Sequence, residues 1–180
     1  MKPTSRRLQI RLALVAAATA GILASSGGFA ATETENLMVT ASVTATCTIS
    51  TTPVAFGDYD PTSDTDLDST GTVTLLCTNG TAGYVTLSEG GNPEASSTAE
   101  EPIRQMVGGA DTLVRLVYHL YSESTRTDVW GNTPTTGLDH MGDGSSTELT
   151  VYGRIPAEQN VIAGSGLEAY TDTVVATVTF

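Results

Sequence analysis

Hydrophobic residues recur at every second position along most of this chain, and the i, i+3, i+4 spacing of an amphipathic helix is almost nowhere to be found. Val73, Leu75 and Cys77 follow the period of two, as do Val85 and Leu87, Leu149 and Val151, and finally Val174, Ala176, Val178 and Phe180. Threonine and serine fill many of the positions between them, and the β-branch of threonine suits the wet face of a pleated surface. Residues 112–121 are apolar on both parities, which predicts a central strand covered on both sides. Arg115 and His119 share one parity of that run, so part of that face is expected to reach water. Turn-forming clusters separate the runs, among them Asp58-Tyr59-Asp60-Pro61, Gly90-Gly91-Asn92-Pro93 and Gly142-Asp143-Gly144. Short strands at this spacing, with no repeat of 20 to 50 residues, predict an all-β sandwich of two sheets.

One run breaks the scale. Leu37, Val39, Ala41, Val43, Ala45, Cys47 and Ile49 occupy every odd position, with neither Gly nor Pro between them. At about 3.3 Å per residue the run is roughly 43 Å long, against about 17–20 Å for an ordinary strand. Either it bends and switches sheets within its own domain, or its first half is surplus and available to a neighbour.

Composition divides the chain before that run. Lys2, Arg6, Arg7 and Arg11 precede an apolar stretch from Leu12 to Leu23, and small residues Gly28 and Ala30 flank Phe29. This is the pattern of a secretory signal over residues 1–30; a stretch of 12 residues is too short to span about 30 Å of hydrocarbon. Residues 31–180 then hold four arginines, no lysine and all 20 acidic residues, a net charge of −16. A surface so acidic repels a phosphate backbone and offers no basic amphipathic stretch, which argues against nucleic-acid binding and membrane insertion. Cys47 and Cys77, the only cysteines, both lie in the exported part, where an oxidising compartment favours their union as one disulfide.

Candidate chemistry is sparse. Asp64, Asp66 and Asp68 resemble the start of a calcium loop, but Ser69 stands where the turn needs glycine and Leu75 where the bidentate glutamate belongs. No nucleophile elbow, His-Glu-x-x-His or Walker loop occurs, and His119 and His140 are isolated, the latter in a Gly-rich stretch expected to be a loop. The reading is therefore of a protein that is not an enzyme, with no cofactor and no metal. Trp130, the single tryptophan, is expected to pack inside the sandwich; the competing role is an aromatic surface for a sugar or another solid surface, as in an adhesin module.

Several ordered segments carry a resemblance. Cys47-Thr48-Ile49, the stretch from Pro53 to Pro61 (PVAFGDYDP), Gly71 to Gly80 (GTVTLLCTNG), residues 111–113 running on to Val129-Trp130-Gly131, Leu149 to Pro156 (LTVYGRIP) and the closing Tyr170 to Phe180 are similar to the spore coat protein U domain. That family includes pilins of archaic chaperone/usher pili. The resemblance implies an immunoglobulin-like sandwich that lacks its last strand and is completed by a donor strand. It implies as partners other pilin subunits, a periplasmic chaperone and an outer-membrane usher, with export to the periplasm and then to a cell-surface fibre that serves adhesion and biofilm formation. On this reading residues 31–45 are the donor extension, with Leu37, Val39, Ala41 and Val43 as its plugs, and residues 46–180 are the domain. Val174, Ala176, Val178 and Phe180 would line the groove and meet the chaperone. A secreted coat or matrix protein built on the same domain is the alternative assembly.

Overall fold

The computed structural model describes Gly28 and residues 30–108, 114–162 and 170–180. Apart from Gly28 and Ala30, the leader expected over residues 1–30 lies outside them. The chain divides into two units, Met1–Thr40 and Ala41–Phe180. In the first, the described residues are exposed and carry no regular secondary structure.

The second unit is all β among its described residues, with eight strands. They are β1 (Cys47–Thr52), β2 (Leu67–Cys77), β3 (Ala82–Leu87), β4 (Arg104–Val107), β5 (Arg115–Tyr121), β6 (Leu138–Met141), β7 (Ser146–Ile155) and β8 (Ala176–Thr179). One sheet has the order β1-β2-β7-β5-β4 and the other β6-β3-β8, and every pairing is antiparallel. Successive residues of a strand point to opposite faces, so the period of two in the sequence becomes a two-sided sandwich. Val73 and Leu75 from β2, Val85 and Leu87 from β3, and Leu116, Tyr118 and Leu120 from β5 meet in the core with Val151, Ile155 and Trp130. Each contributes roughly 1.5–3 kcal/mol when fully buried.

Only part of the long alternating run is strand. β1 starts at Cys47, directly opposite Cys77 in its pairing with β2, and the two are joined as a disulfide. Residues 31–46 carry no strand and are exposed. In residues 112–121, Thr112 and Leu113 lie outside the described residues and the strand starts at Arg115. Leu116, Tyr118 and Leu120 are buried, while Arg115, Val117, His119 and Tyr121 are only half-buried. The expectation of cover on both faces is thus corrected: β7 and β4 flank β5 within its sheet, but only the other sheet closes a face of it. His140 is likewise corrected from a loop to β6.

The segment from Pro53 to Pro61 runs across the sandwich edge. A Cβ on Gly153 would lie 2.7 Å from both Val54 and Phe56, so the absence of a side chain there lets this segment close over β7. The Phe56 ring meets Tyr118 edge-on at 6.3 Å. Tyr59 donates to the Pro156 carbonyl at 2.9 Å and accepts from the Gln159 amide at 2.9 Å, tying the segment to the end of β7.

Candidate functional site: a cleft between two sheet edges

Each sheet ends in a strand paired on one side. Among the described residues, β1 bonds only to β2, and β8 only to β3. Just before β8, Val175 accepts from the Ser88 amide at 2.9 Å, which places its backbone on the β3 side. Backbone direction alternates along an antiparallel strand, so Ala176 and Val178 turn their N–H and C=O groups to the open edge. Just before β1, Thr46 accepts from the Thr78 amide at 2.9 Å, and the same alternation turns the backbone of Ile49 and Thr51 outward. Two edges with unsatisfied ladder groups are templates for another strand.

Between them opens a cleft of about 370 Å³ that reaches the core. Thr52 and Val54 line it near β1, Val174 and Ala176 near β8, and Leu120 and Val151 at its floor. The register puts Ile49 on the inward face, opposite Leu75, and Val178 on the inward face, opposite Val85. Leu75 and Val85 are fully enclosed, yet Ile49 remains 36% exposed and Val174, Ala176 and Val178 are only half-buried. Phe180, next in the inward parity, is 55% exposed. Core-facing residues of both edge strands thus lack the cover that their neighbours have. At about 25 cal/mol per Å² of apolar surface, covering them is a large reservoir of association energy.

Leu37, Val39 and Val43 are 89%, 84% and 85% exposed, and Ala41 is exposed as well. Exposed apolar residues grouped in this way are a feature of interaction surfaces.

Other candidates go elsewhere. Trp130 is wholly enclosed and donates from its indole nitrogen to the Val85 carbonyl at 2.9 Å, a core role. Asp68 grips Arg154 with both oxygens, at 2.8 and 2.9 Å, and approaches Arg126 at 3.3 Å. Asp66 accepts from the Ala157 amide at 3.0 Å and lies 3.4 Å from Arg154. These carboxylates therefore brace β2 against β7. Arg154 holds the Asp68 carboxyl below the ordinary aspartate range, by its hydrogen bond first and its charge second.

Sequence reasoning missed the floor of the cleft and the residue at its end. Asp172 lines the cleft and accepts from the Tyr118 hydroxyl at 2.7 Å and the Gly91 amide at 2.9 Å. Burial foremost, then the bond to Asp172, pushes the Tyr118 hydroxyl pKa up. The signal was there: Asp172 is a charged residue at an even position of a parity that is apolar from Val174 onward.

The family described as Spore Coat Protein U domain matches residues 33–177. Protein U of Myxococcus xanthus is 41% identical over 172 residues, which covers 91% of this chain and 93% of that protein. Among solved structures, this chain is similar in fold to a chain in the CsuC-CsuE chaperone-tip adhesion subunit pre-assembly complex from archaic chaperone-usher Csu pili of Acinetobacter baumannii. The TM-score is 0.53 at 22% identity, and the match covers 77% of this chain but only 40% of that one.

Proposed function

We propose, from the premise that this chain belongs to the Spore Coat Protein U domain family, that it is a structural subunit of an exported surface fibre of the archaic chaperone/usher type. The observation that carries the reading is the cleft between two unpaired strand edges, with core-facing residues left half-covered. Residues 31–45 of a second copy are its occupant: an exposed extension whose apolar positions repeat every second residue. Strand addition of this kind takes adhesion from main-chain hydrogen bonds and register from alternate side chains. Leu37, Val39, Ala41 and Val43 are the plugs, and Val174, Ala176, Val178 and Phe180 the track that receives them. Before assembly a periplasmic chaperone supplies the missing strand, and an outer-membrane usher exchanges it for the next subunit. The role is architectural, not enzymatic, and the finished fibre serves adhesion and biofilm formation. Membership of a family described as Spore Coat Protein U domain supports a second assembly from the same strand exchange, a secreted coat layer in place of a fibre.

Deletion of residues 31–45, with the rest expressed alongside its chaperone, tests the reading. The full chain should give thin fibres by electron microscopy and a dissociation-resistant ladder on an unboiled gel, and the deleted chain neither. Polymers of unchanged length from the deleted chain would overturn it.

A further inference from the structure

Exposure alternates without a break from Thr171 to Thr179, and Asp172 therefore shares the inward parity of Val174, Ala176 and Val178. Its carboxylate is held fast. Oδ2 accepts from the Tyr118 hydroxyl at 2.7 Å, and Oδ1 accepts from the Gly91 amide at 2.9 Å and the Asn92 side chain at 3.5 Å. Gly90 has φ +85°, and a Cβ there would fall 2.2 Å from Oδ2, so the turn has closed onto the carboxylate as far as glycine allows. Asp172 also borders a polar hollow lined by Asn92, Arg115 and Thr171. A fixed carboxylate thus stands where the apolar track along β8 meets a polar end.

We infer that Asp172 sets the direction and register of the strand that enters the cleft, by excluding arrangements that lay a bulky apolar or an acidic side chain across its carboxylate. The inference rests on the strand-donation reading and selects among its arrangements. Laid antiparallel to β8 with Val43 opposite Val174, the donor places Ala41 opposite Ala176, Val39 opposite Val178 and Leu37 opposite Phe180. Ala45, which brings only a methyl group, then faces Asp172. A slip of two residues one way lays Val43 over the carboxylate. The same slip the other way requires Cys47, which its own domain holds in the disulfide with Cys77. Turned parallel, with Leu37 opposite Val174, the donor brings Glu35 opposite Asp172, and like charges directly opposite are destabilising. Inward charge at an edge is a known way to refuse wrong pairings.

Two cysteine pairs in the full-length chain read the arrangement, because opposed residues that exchange hydrogen bonds lie about 5.5 Å apart, within disulfide reach. Ala41→Cys with Ala176→Cys reports the inferred register. Val39→Cys with Ala176→Cys reports the slipped or the reversed strand. With Asp172 present, a boiled, non-reducing gel should show the first pair's ladder at about tenfold the yield of the second, since misplacing a side chain against a fixed charge costs at least the corresponding energy. Asp172→Val should raise the second ladder to parity with the first. Asp172→Asn keeps the shape and the acceptor oxygen without the charge, guards against a folding defect, and should raise the second ladder several-fold. The inference is overturned if the second pair dominates with Asp172 in place, or if the ratio survives both substitutions. Failure of strand donation itself looks different: neither pair gives a ladder at all.

Discussion

At the residue scale the least expected group is Arg104, whose side chain is wholly enclosed at the start of β4. Nε donates to the Ser88 carbonyl at 2.8 Å, and Nη2 to those of Leu87 and Trp130 at 3.0 and 2.8 Å. Burial pulls its pKa down to about 10, so it stays charged at neutral pH. One cation here satisfies three carbonyls where β3 ends, which is why the position accepts so long a polar side chain. Arg104→Met fills much of the space but abandons the carbonyls, and should cost about 3 kcal/mol in urea unfolding. His119 gives the pH dependence. Burial first, and the charge of Arg104 second, hold its pKa below the ordinary 6.5. The unfolded chain therefore binds the proton more readily, and stability is complete above pH 6.5 and declines below it toward the lowered value. His119→Asn should flatten that part of the stability curve, and an unaltered slope would assign it to another group.

At the scale of elements, the alternating runs of β2, β3, β7 and β8 could be read directly, because a half-buried strand writes its period into its residues. β4 could not. It has four residues, and its inward positions are Arg104 and Met106, so tertiary contacts override its composition. β1 was legible as a strand but not as to its limits, since the odd-position pattern continues upstream through a segment that forms no strand. The disulfide pins the first residue of this edge strand to the last residue of β2. β2 itself is paired on both sides. A pull on the residues before β1 should thus be delivered to an internal strand rather than peel β1 open one bond at a time. Cys47→Ser with Cys77→Ser, reopening a link between residues 30 apart, should cost roughly 3.5 kcal/mol on the chain-entropy account. Hydrogen exchange should rise first at Cys47–Thr52; uniform loss of protection would mean the bridge acts on the whole sandwich.

At the scale of the whole molecule, residues 31–180 carry a net charge of −16. Arg104 is enclosed, and Arg126 and Arg154 are already engaged with Asp66 and Asp68. On the strand-donation proposal, fibres of such subunits would repel one another sideways, while the proposed contact along the fibre would be mostly apolar. Raising the ionic strength from 0.01 M to 0.15 M shortens the screening length from about 30 Å to about 8 Å. Light scattering should report bundling across that range while the ladder on an unboiled gel stays the same length. A ladder that shortens with salt would mean that charge, not burial, joins the subunits.

The sequence by itself determined the class of fold, the disulfide partners and the presence of a segment longer than one strand needs. Each of these is local: a period, the only two cysteines of the chain, a run without glycine or proline. Only the tertiary structure decided which strands are left at the edges, where the cleft opens, and that Asp172 stands at its end. Those depend on the pairing of strands far apart in the chain, such as β2 with β7 and β3 with β8, and no local pattern encodes which of several similar runs will be neighbours.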